Sequence, residues 1–202
     1  MPNLVAPRGF VPSRYLDNSP YSGGGNMYYI PSSDGNQYSP GDAVKSAAGG
    51  DANGIPQVVK AAGTDTVRGV ILGVFPANPN SPSLVATTLD LTVQNIPASK
   101  TKDYYVLVAD DPKLLFEISD DGLSALTAAA CNKNASFTVT NPTAPQQNSA
   151  SVLSTASVAP NIALPLKLVG LVQRPDNAFG AYAKWLVVFN QHELGGCNTA
   201  GV

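Results

Sequence analysis

The chain has 202 residues, of which 44% are hydrophobic and only 13% are charged, and its formal net charge is −2 at pH 7. This length is sufficient for one well-buried domain, and the slightly acidic balance argues against nucleic-acid binding, which requires a basic face. The charged fraction is about half of the usual ~25%. We therefore expect a surface of small polar residues, or a surface buried against other chains, since the cores of protein interfaces are depleted in charge.

Membrane insertion and secretion are not expected from the sequence. No apolar run approaches the roughly 18 residues that a membrane span needs. The segment that begins Met1-Pro2-Asn3-Leu4 lacks the basic and apolar regions of a signal peptide. We expect a protein that is made and used without secretion, with no membrane contact.

Residues 1–26 are predicted to form an extended arm. They contain four prolines, Pro2, Pro7, Pro12 and Pro20, and the run Gly23–Gly25. Proline blocks helices and interior strands. The arm carries aromatic side chains rather than the charged residues of a disordered tail, so we expect it to dock on its own core or on a neighbouring subunit.

Residues 27–202 are predicted to form a strand-rich domain, because short apolar runs alternate with turn residues. A loop of small residues is expected over 46–54. The predicted strands in the first half are Met27–Ile30, Ala43–Val44, the stretch around Val58-Val59, Val67–Phe75 and Leu84–Val93.

The stretch Tyr104–Ile118 is predicted to be a central hairpin. Tyr104–Ala109 and Leu114–Ile118 are apolar runs of strand length. Between them, Asp111-Pro112 suits the first positions of a type I turn. Such a hairpin is too apolar for solvent on either side, so other strands must cover it.

The second half adds further strands and one helix. Asp121 is placed to N-cap a short helix over Leu123–Cys131. The predicted strands are Ser136–Thr140, an edge strand at Ser151–Ser157, Ala163–Val172 and Ala183–Asn190, the last with Trp185 in the core. The whole pattern predicts an all-β fold: a β-sandwich or jelly roll with one short helix and an extended N-terminal arm.

Catalytic and metal-binding motifs are weak. The single histidine, His192, follows the last strand, and no serine lies in a Gly-x-Ser-x-Gly elbow. Cys131 and Cys197 are too few and too far apart for a disulfide framework or a zinc site, and we expect two thiols. We therefore predict no catalytic, cofactor-binding or metal-binding residues, and no cofactor.

The densest group of acidic residues has two interpretations. It comprises Asp110, Asp111, Glu117, Asp120 and Asp121. A calcium site or a carboxylate pair for glycoside hydrolysis would use such residues. The four aspartates fall in predicted turns, however, where aspartate is favoured because it caps the backbone. We expect turn chemistry here.

The order of several motifs is similar to that of a known family. The motifs are Val11–Pro20, Tyr28–Gly35, Pro40–Val44, Val106–Pro112, Leu115–Ile118, Arg174–Asn177 and Phe189–Glu193. In this order the chain resembles the cement, or decoration, proteins of tailed bacteriophages, in particular the jelly-roll type found on podophage capsids. Two loops, Asn141–Pro160 and Asn78–Asn80, depart from the pattern.

The resemblance implies a non-enzymatic structural virion protein. It would be made in the host cytoplasm and sit on the outer surface of an icosahedral capsid. There it would bridge neighbouring major capsid subunits, stabilise the shell against internal DNA pressure, and associate with copies of itself as a dimer or trimer. The candidate arm anchors are Phe10, Tyr15, Tyr21, Tyr28 and Tyr29, because tyrosine and phenylalanine supply large contact areas.

Two other functions remain open from the sequence. One is a carbohydrate- or receptor-binding β-sandwich on a virion, whose site would combine an exposed aromatic such as Trp185 with the carboxylates between Asp110 and Asp121. The other is a hydrolase that uses the same carboxylates, with Asp111 and Glu117 as the residues to test.

Overall fold

The computed structural model describes residues 3–76, 94–195 and 199–201, and this part of the chain is all-β. Twelve strands account for its regular structure, with two three-residue 3-10 turns at Ala128–Ala130 and Thr155–Ser157. The predicted all-β class is confirmed, and the antiparallel sheets are consistent with a sandwich. A jelly-roll strand order remains a prediction. The predicted strand Leu84–Val93 and the Asn78–Asn80 loop lie outside the described residues.

Most strands fall within the predicted apolar runs. The strands Val11–Tyr15 and Asn134–Ala135 have no predicted counterpart, and of the predicted edge strand Ser151–Ser157 only Val152–Leu153 is a strand. The strands of the structure are β1 Val11–Tyr15, β2 Asn26–Ile30, β3 Ala43–Gly50, β4 Pro56–Lys60, β5 Gly69–Phe75, β6 Tyr104–Ala109, β7 Leu114–Ser119, β8 Asn134–Ala135, β9 Phe137–Thr138, β10 Val152–Leu153, β11 Leu166–Leu171 and β12 Lys184–Phe189.

Five strands close into a barrel in the order β2-β4-β3-β5-β6. All neighbours are antiparallel except β2 and β4, which meet in parallel at Tyr29 and Gln57. Because side chains alternate along a strand, every second residue of β6 points inward. The barrel interior is filled by Tyr28, Ile30, Tyr38, Val44, Val58, Ile71, Ile96, Tyr104, Val106 and Val108.

A five-stranded antiparallel sheet, β1-β7-β12-β11-β8, packs beside the barrel. Its inner face carries Phe116, Trp185 and Phe189, which share one core with Val67 and Val70 of the barrel side. Trp185 is fully buried, so its predicted place in the core is confirmed. The outer face carries a smaller apolar cluster of Leu115, Val172, Leu186 and Val188.

The two central strands form as predicted, but the predicted hairpin between them is wrong. β6 is hydrogen-bonded to β2 and β5, whereas β7 is hydrogen-bonded to β1 and β12. A strand has two hydrogen-bonding edges, and both edges of each strand are occupied. The Asp111 turn does form, with the Lys113 amide donating to Asp111 Oδ1 at 2.8 Å. It therefore carries the chain from the barrel into the sheet.

Two other local predictions are also wrong. The predicted helix Leu123–Cys131 is reduced to the Ala128–Ala130 turn, because Asp121 accepts from Leu123 N at 3.1 Å and from the Thr155 hydroxyl at 2.7 Å, which holds the segment against a neighbouring loop. The predicted loop over 46–54 is partly strand, since β3 continues to Gly50. Its small residues are tolerated because that end of β3 is mostly exposed.

The predicted N-terminal arm lies on the chain's own core. β1 is the edge strand of the sheet, paired with β7, and Pro12 is accommodated there because an edge strand has a side without ladder bonds. Phe10 is buried, with its ring centroid 5.2 Å from that of Phe137 and 5.2 Å from that of Phe189. Residues 10–15 are therefore part of the folded body rather than a separate appendage.

Candidate functional site

The five candidate arm anchors fall into two groups. Phe10 and Tyr28 are buried inside the chain, so their rings offer no surface to a partner. Tyr15, Tyr21 and Tyr29 are partly exposed. The rings of Tyr15 and Tyr21 meet edge to face at 6.1 Å, whereas Tyr29 lies on the barrel beside Tyr105 at 5.7 Å. Of the predicted anchors, only these three remain available for contact.

The segment before β1 presents apolar side chains to solvent. Leu4 is 68% exposed and Val5 is 60% exposed. The backbone on either side is nevertheless held in place. The Asn3 amide donates to the carbonyls of Ala178 and Ala181, each at 2.9 Å, and Phe10 enters the core. Sequence reasoning chose the aromatics as anchors and missed this pair, although Leu4-Val5 is an apolar pair in a proline-rich stretch.

A groove of about 420 Å³ runs between this segment and the sheet. We call it the N-terminal groove. It is lined by Leu4, Ala6, Arg8, Gly9 and Val11 on one side and by Glu117, Ile118, Ser119, Arg174, Asp176 and Lys184 on the other. The charged residues of the second side are paired with one another. Arg174 donates to Glu117 at 3.0 Å, and Asp176 lies between Arg174 and Lys184 at 3.5 and 3.6 Å.

The predicted acidic group does not converge on one point. Glu117 projects from the outer face of β7 to Arg174. Asp120 is buried and accepts from the Trp185 indole at 3.2 Å, and its burial raises the pKa of its carboxyl. Asp111 and Asp121 accept backbone amides two residues further on, as turn aspartates do. Asp120 also accepts from the Gly122 amide at 3.0 Å, so the predicted turn chemistry is confirmed for three of the four aspartates.

Asp110 belongs to a polar network between barrel and sheet. Its carboxylate accepts from the Tyr28 hydroxyl at 2.6 Å and from the Asn26 amide at 3.0 Å. Burial, together with this bond to Asp110, raises the pKa of Tyr28 to about 12. Arg68 donates to the Tyr28 hydroxyl at 2.8 Å and lies 3.9 Å from both Asp110 and Glu193. The network joins the barrel strands to the segment after β12.

His192 lies at the same junction, where its backbone bridges to Val67. Its Nδ1 accepts from the Leu194 amide at 3.0 Å, and its Nε2 is buried without a partner in the described structure. Burial lowers the pKa of His192, although the nearby Asp110 carboxylate opposes this shift. A neutral imidazole is therefore favoured in the folded protein.

A smaller depression of about 200 Å³ lies beside the Asp111 turn. We call it the tyrosine depression. It is lined by Tyr15, Tyr21, Gly24, Gly25, Asn26, Ala109, Asp110, Asp111 and Leu114. The Tyr21 hydroxyl donates to Gly24 O at 2.6 Å, and burial together with the neighbouring Tyr15 and Asp110 raises the pKa of Tyr21. Two predicted anchors and two predicted acidic residues thus meet here.

The remaining predictions concern metals, cysteines and membranes. Among the described residues, no group of three or more histidine, cysteine, aspartate or glutamate side chains is placed to hold a metal ion. Cys131 is a partly buried free thiol, and Cys197 lies outside the described residues. In the part of the chain that the structure describes, no helix is long and apolar enough to cross a membrane.

Comparisons with models of protein families, with curated proteins and with solved structures find no match for this chain.

Proposed function

We propose that this chain is a structural virion protein that binds the outer surface of an icosahedral phage capsid and bridges neighbouring major capsid subunits. The observation that supports this most directly is the held N-terminal segment, which presents Leu4 and Val5 to solvent beside the N-terminal groove. A segment that is already ordered loses little conformational entropy when a partner covers it, so more of its contact energy appears as affinity.

The distribution of charge also supports a protein-binding surface. Charged side chains of the N-terminal groove are paired within the chain: Arg174 with Glu117 at 3.0 Å, and Asp176 with Arg174 at 3.5 Å and with Lys184 at 3.6 Å. Paired and partly buried charges present less unsatisfied charge to a partner. When a partner covers such a surface, fewer charges become buried without an oppositely charged neighbour.

In this role the protein acts as a clamp. The free energy of binding across a boundary between capsid subunits must be lost before the subunits separate, which raises the barrier to rupture of a shell under DNA pressure. Many copies on one shell act together, so that weak individual contacts give a strong collective effect. The proposed partners are the major capsid protein and further copies of this chain, as a dimer or trimer, with no enzymatic step and no cofactor.

Binding to empty expanded shells of the corresponding major capsid protein tests this function. We expect the purified chain to co-sediment with the shells and to raise the temperature at which they rupture. The double substitution Leu4→Asp and Val5→Asp should weaken binding at least about thirtyfold, since the loss of a hot-spot contact costs about 2 kcal/mol or more. Leu123→Asp is the matched control, since Leu123 is equally apolar and exposed but does not line the groove.

One result would contradict the proposed function, and another would contradict only the proposed binding surface. If the wild-type chain does not bind the shells, the capsid function is wrong. If the wild-type chain binds, and the Leu4 and Val5 substitutions leave affinity unchanged while Leu123→Asp reduces it, the capsid function survives but the N-terminal groove is not the binding surface.

A further inference from the structure

The tyrosine depression has the chemistry of a receptor for a cation. Tyr15 and Tyr21 supply aromatic rings, whose faces attract cations. Asp110 and Asp111 supply carboxylates at the same wall, and no lysine or arginine lines the depression. Its volume of about 200 Å³ corresponds to roughly seven water molecules at ~30 Å³ each, which suits a side-chain head group rather than a large ligand.

The hydrogen-bonding capacity of the wall points in the same direction. The Asn26 amide already donates to both oxygens of Asp110, and the Tyr21 hydroxyl already donates to Gly24 O. The lining groups that make no hydrogen bond within the chain are mainly acceptors. One of them is the second carboxylate oxygen of Asp111, whose first oxygen accepts from the Lys113 amide. A ligand that only donates is therefore better matched than one that needs both donors and acceptors.

The protein's own cations neutralise the negative charge of the depression only in part. Arg68 is the cation nearest to Asp110, and it is shared with Glu193. One guanidinium thus faces two carboxylates, and Asp111 adds a third at the open side. Lys113 and Asp17 line an adjoining depression together with Tyr15 and Asp111, and their opposite charges offset each other. An excess of negative charge remains for an incoming cation.

The wall of the depression is also held by hydrogen bonds and ring contacts, which lowers the entropy cost of binding a partner. The Tyr28 hydroxyl and the Asn26 amide hold the Asp110 carboxylate, and Tyr21 holds the glycine loop at Gly24. The rings of Tyr15 and Tyr21 fix each other edge to face. A partner side chain that enters the depression does not have to order it first.

We propose that the tyrosine depression binds a lysine or arginine side chain of a protein partner. Its aromatic faces pack on the aliphatic stem and the charged group, and Asp110 and Asp111 face the charge. The depression shares no lining residue with the N-terminal groove, and the inference does not rest on the capsid proposal. A neutral sugar would be less well matched, because two of the three side-chain donors in the lining, the Asn26 amide and the Tyr21 hydroxyl, already donate within the chain.

The test uses the full chain and three small probes in a titration followed by NMR. The probes are Nα-acetyl-lysine N-methylamide, the uncharged Nα-acetyl-norleucine N-methylamide, and methyl glucoside. We expect saturable shifts of the Asn26 side-chain amide and the Asp111 backbone amide with the lysine probe only. Asp111→Asn should weaken this binding about twofold to fivefold, as expected for loss of one exposed ion pair. Asp103→Asn, at an exposed carboxylate outside both the depression and the N-terminal groove, should leave it unchanged.

Each other outcome overturns the inference. Equal binding of the norleucine probe would mean that the charge is not recognised. Preferential binding of the glucoside would identify a saccharide site. No saturable shift with any probe would mean that the depression is not a receptor. None of these results depends on capsid shells, so failure here is distinguishable from failure of the proposed function.

Discussion

The Tyr28 hydroxyl donates a hydrogen bond of 2.6 Å to the carboxylate of Asp110, a residue 82 positions further along the chain. This bond joins β2 to the turn that leaves the barrel, and Arg68 donates to the same hydroxyl. Both Tyr28 and Asp110 are buried. A buried carboxylate that loses a donor keeps its desolvation cost without the compensating bond.

Tyr28→Phe should therefore lower the free energy of unfolding by about 1.5–3 kcal/mol, the usual value for a hydrogen bond to a charged group. Urea denaturation at neutral pH measures the change. Tyr15→Phe is the matched control, because no hydrogen bond of the Tyr15 hydroxyl occurs in the described structure, and it should change stability by less than about 0.5 kcal/mol. Equal effects of the two substitutions would show that the network contributes nothing.

Phe10 tests whether the N-terminal segment is part of the folded body. Its ring contacts those of Phe116, Phe137 and Phe189. Phe10→Ala should cost about 3–5 kcal/mol, since it removes a buried aromatic ring and leaves a cavity. Leu4→Ala, at an exposed position of the same segment, should change stability by less than about 0.5 kcal/mol. Thermal unfolding of both variants measures the two changes in stability. If Phe10→Ala were as stable as the wild type, the N-terminal segment would not be part of the core.

The close approach of Gly9 and Gly41 gives a third prediction. Phe10 N donates to Gly41 O at 2.9 Å, and a Cβ atom on Gly41 would lie 2.5 Å from Arg8 O. Gly41 also has a φ of 92°, a region that side chains disfavour.

Gly23→Ala isolates the backbone-strain part of the cost of an alanine at Gly41, because Gly23 has a φ of 84° but a Cβ atom added there would meet no other atom within 4 Å. It should cost about 1–2 kcal/mol from backbone strain alone. Gly41→Ala should cost a further ~1–3 kcal/mol from overpacking. Chemical denaturation of the two variants compares them directly, and equal costs would refute the close approach.

The stability of the protein should fall in mild acid because of His192. Burial lowers its pKa in the folded state, below the ordinary value of 6.5. Between these two pKa values the unfolded chain binds a proton that the folded chain does not. The contribution of the neutral imidazole is thus complete above pH 6.5 and is lost as the pH falls towards the folded-state pKa, with a limiting slope of about 1.4 kcal/mol per pH unit.

Measurement of the free energy of unfolding from about pH 7.5 to about pH 5.5 tests this, because carboxylates titrate mainly below that range. Asp110, Asp111, Glu193 and Arg68 are the charged groups that act on the imidazole. In His192→Asn, whose side-chain oxygen can still accept from the Leu194 amide, the slope should largely disappear. His192 is the only histidine in the chain, so an unchanged slope would mean that its pKa is not shifted.

The local elements follow largely from the sequence, because they depend on neighbours along the chain. Apolar runs of strand length predict β7 and β12, and Asp111-Pro112 predicts the turn between β6 and β7. Trp185 is correctly placed in the core from the apolar run around it. The helix over Leu123–Cys131 fails because Asp121 bonds to Thr155, a residue 34 positions away that no local pattern reveals.

Only the tertiary structure decides which strands pair and which side chains meet. The sequence cannot show that β6 and β7 belong to different sheets, because that depends on which strands occupy their four edges. For the same reason it places Phe10 and Tyr28 among surface anchors, whereas the packing of the barrel and the sheet buries both. The N-terminal groove and the tyrosine depression each combine residues that are distant in sequence, and burial and hydrogen bonding across the fold bring them together.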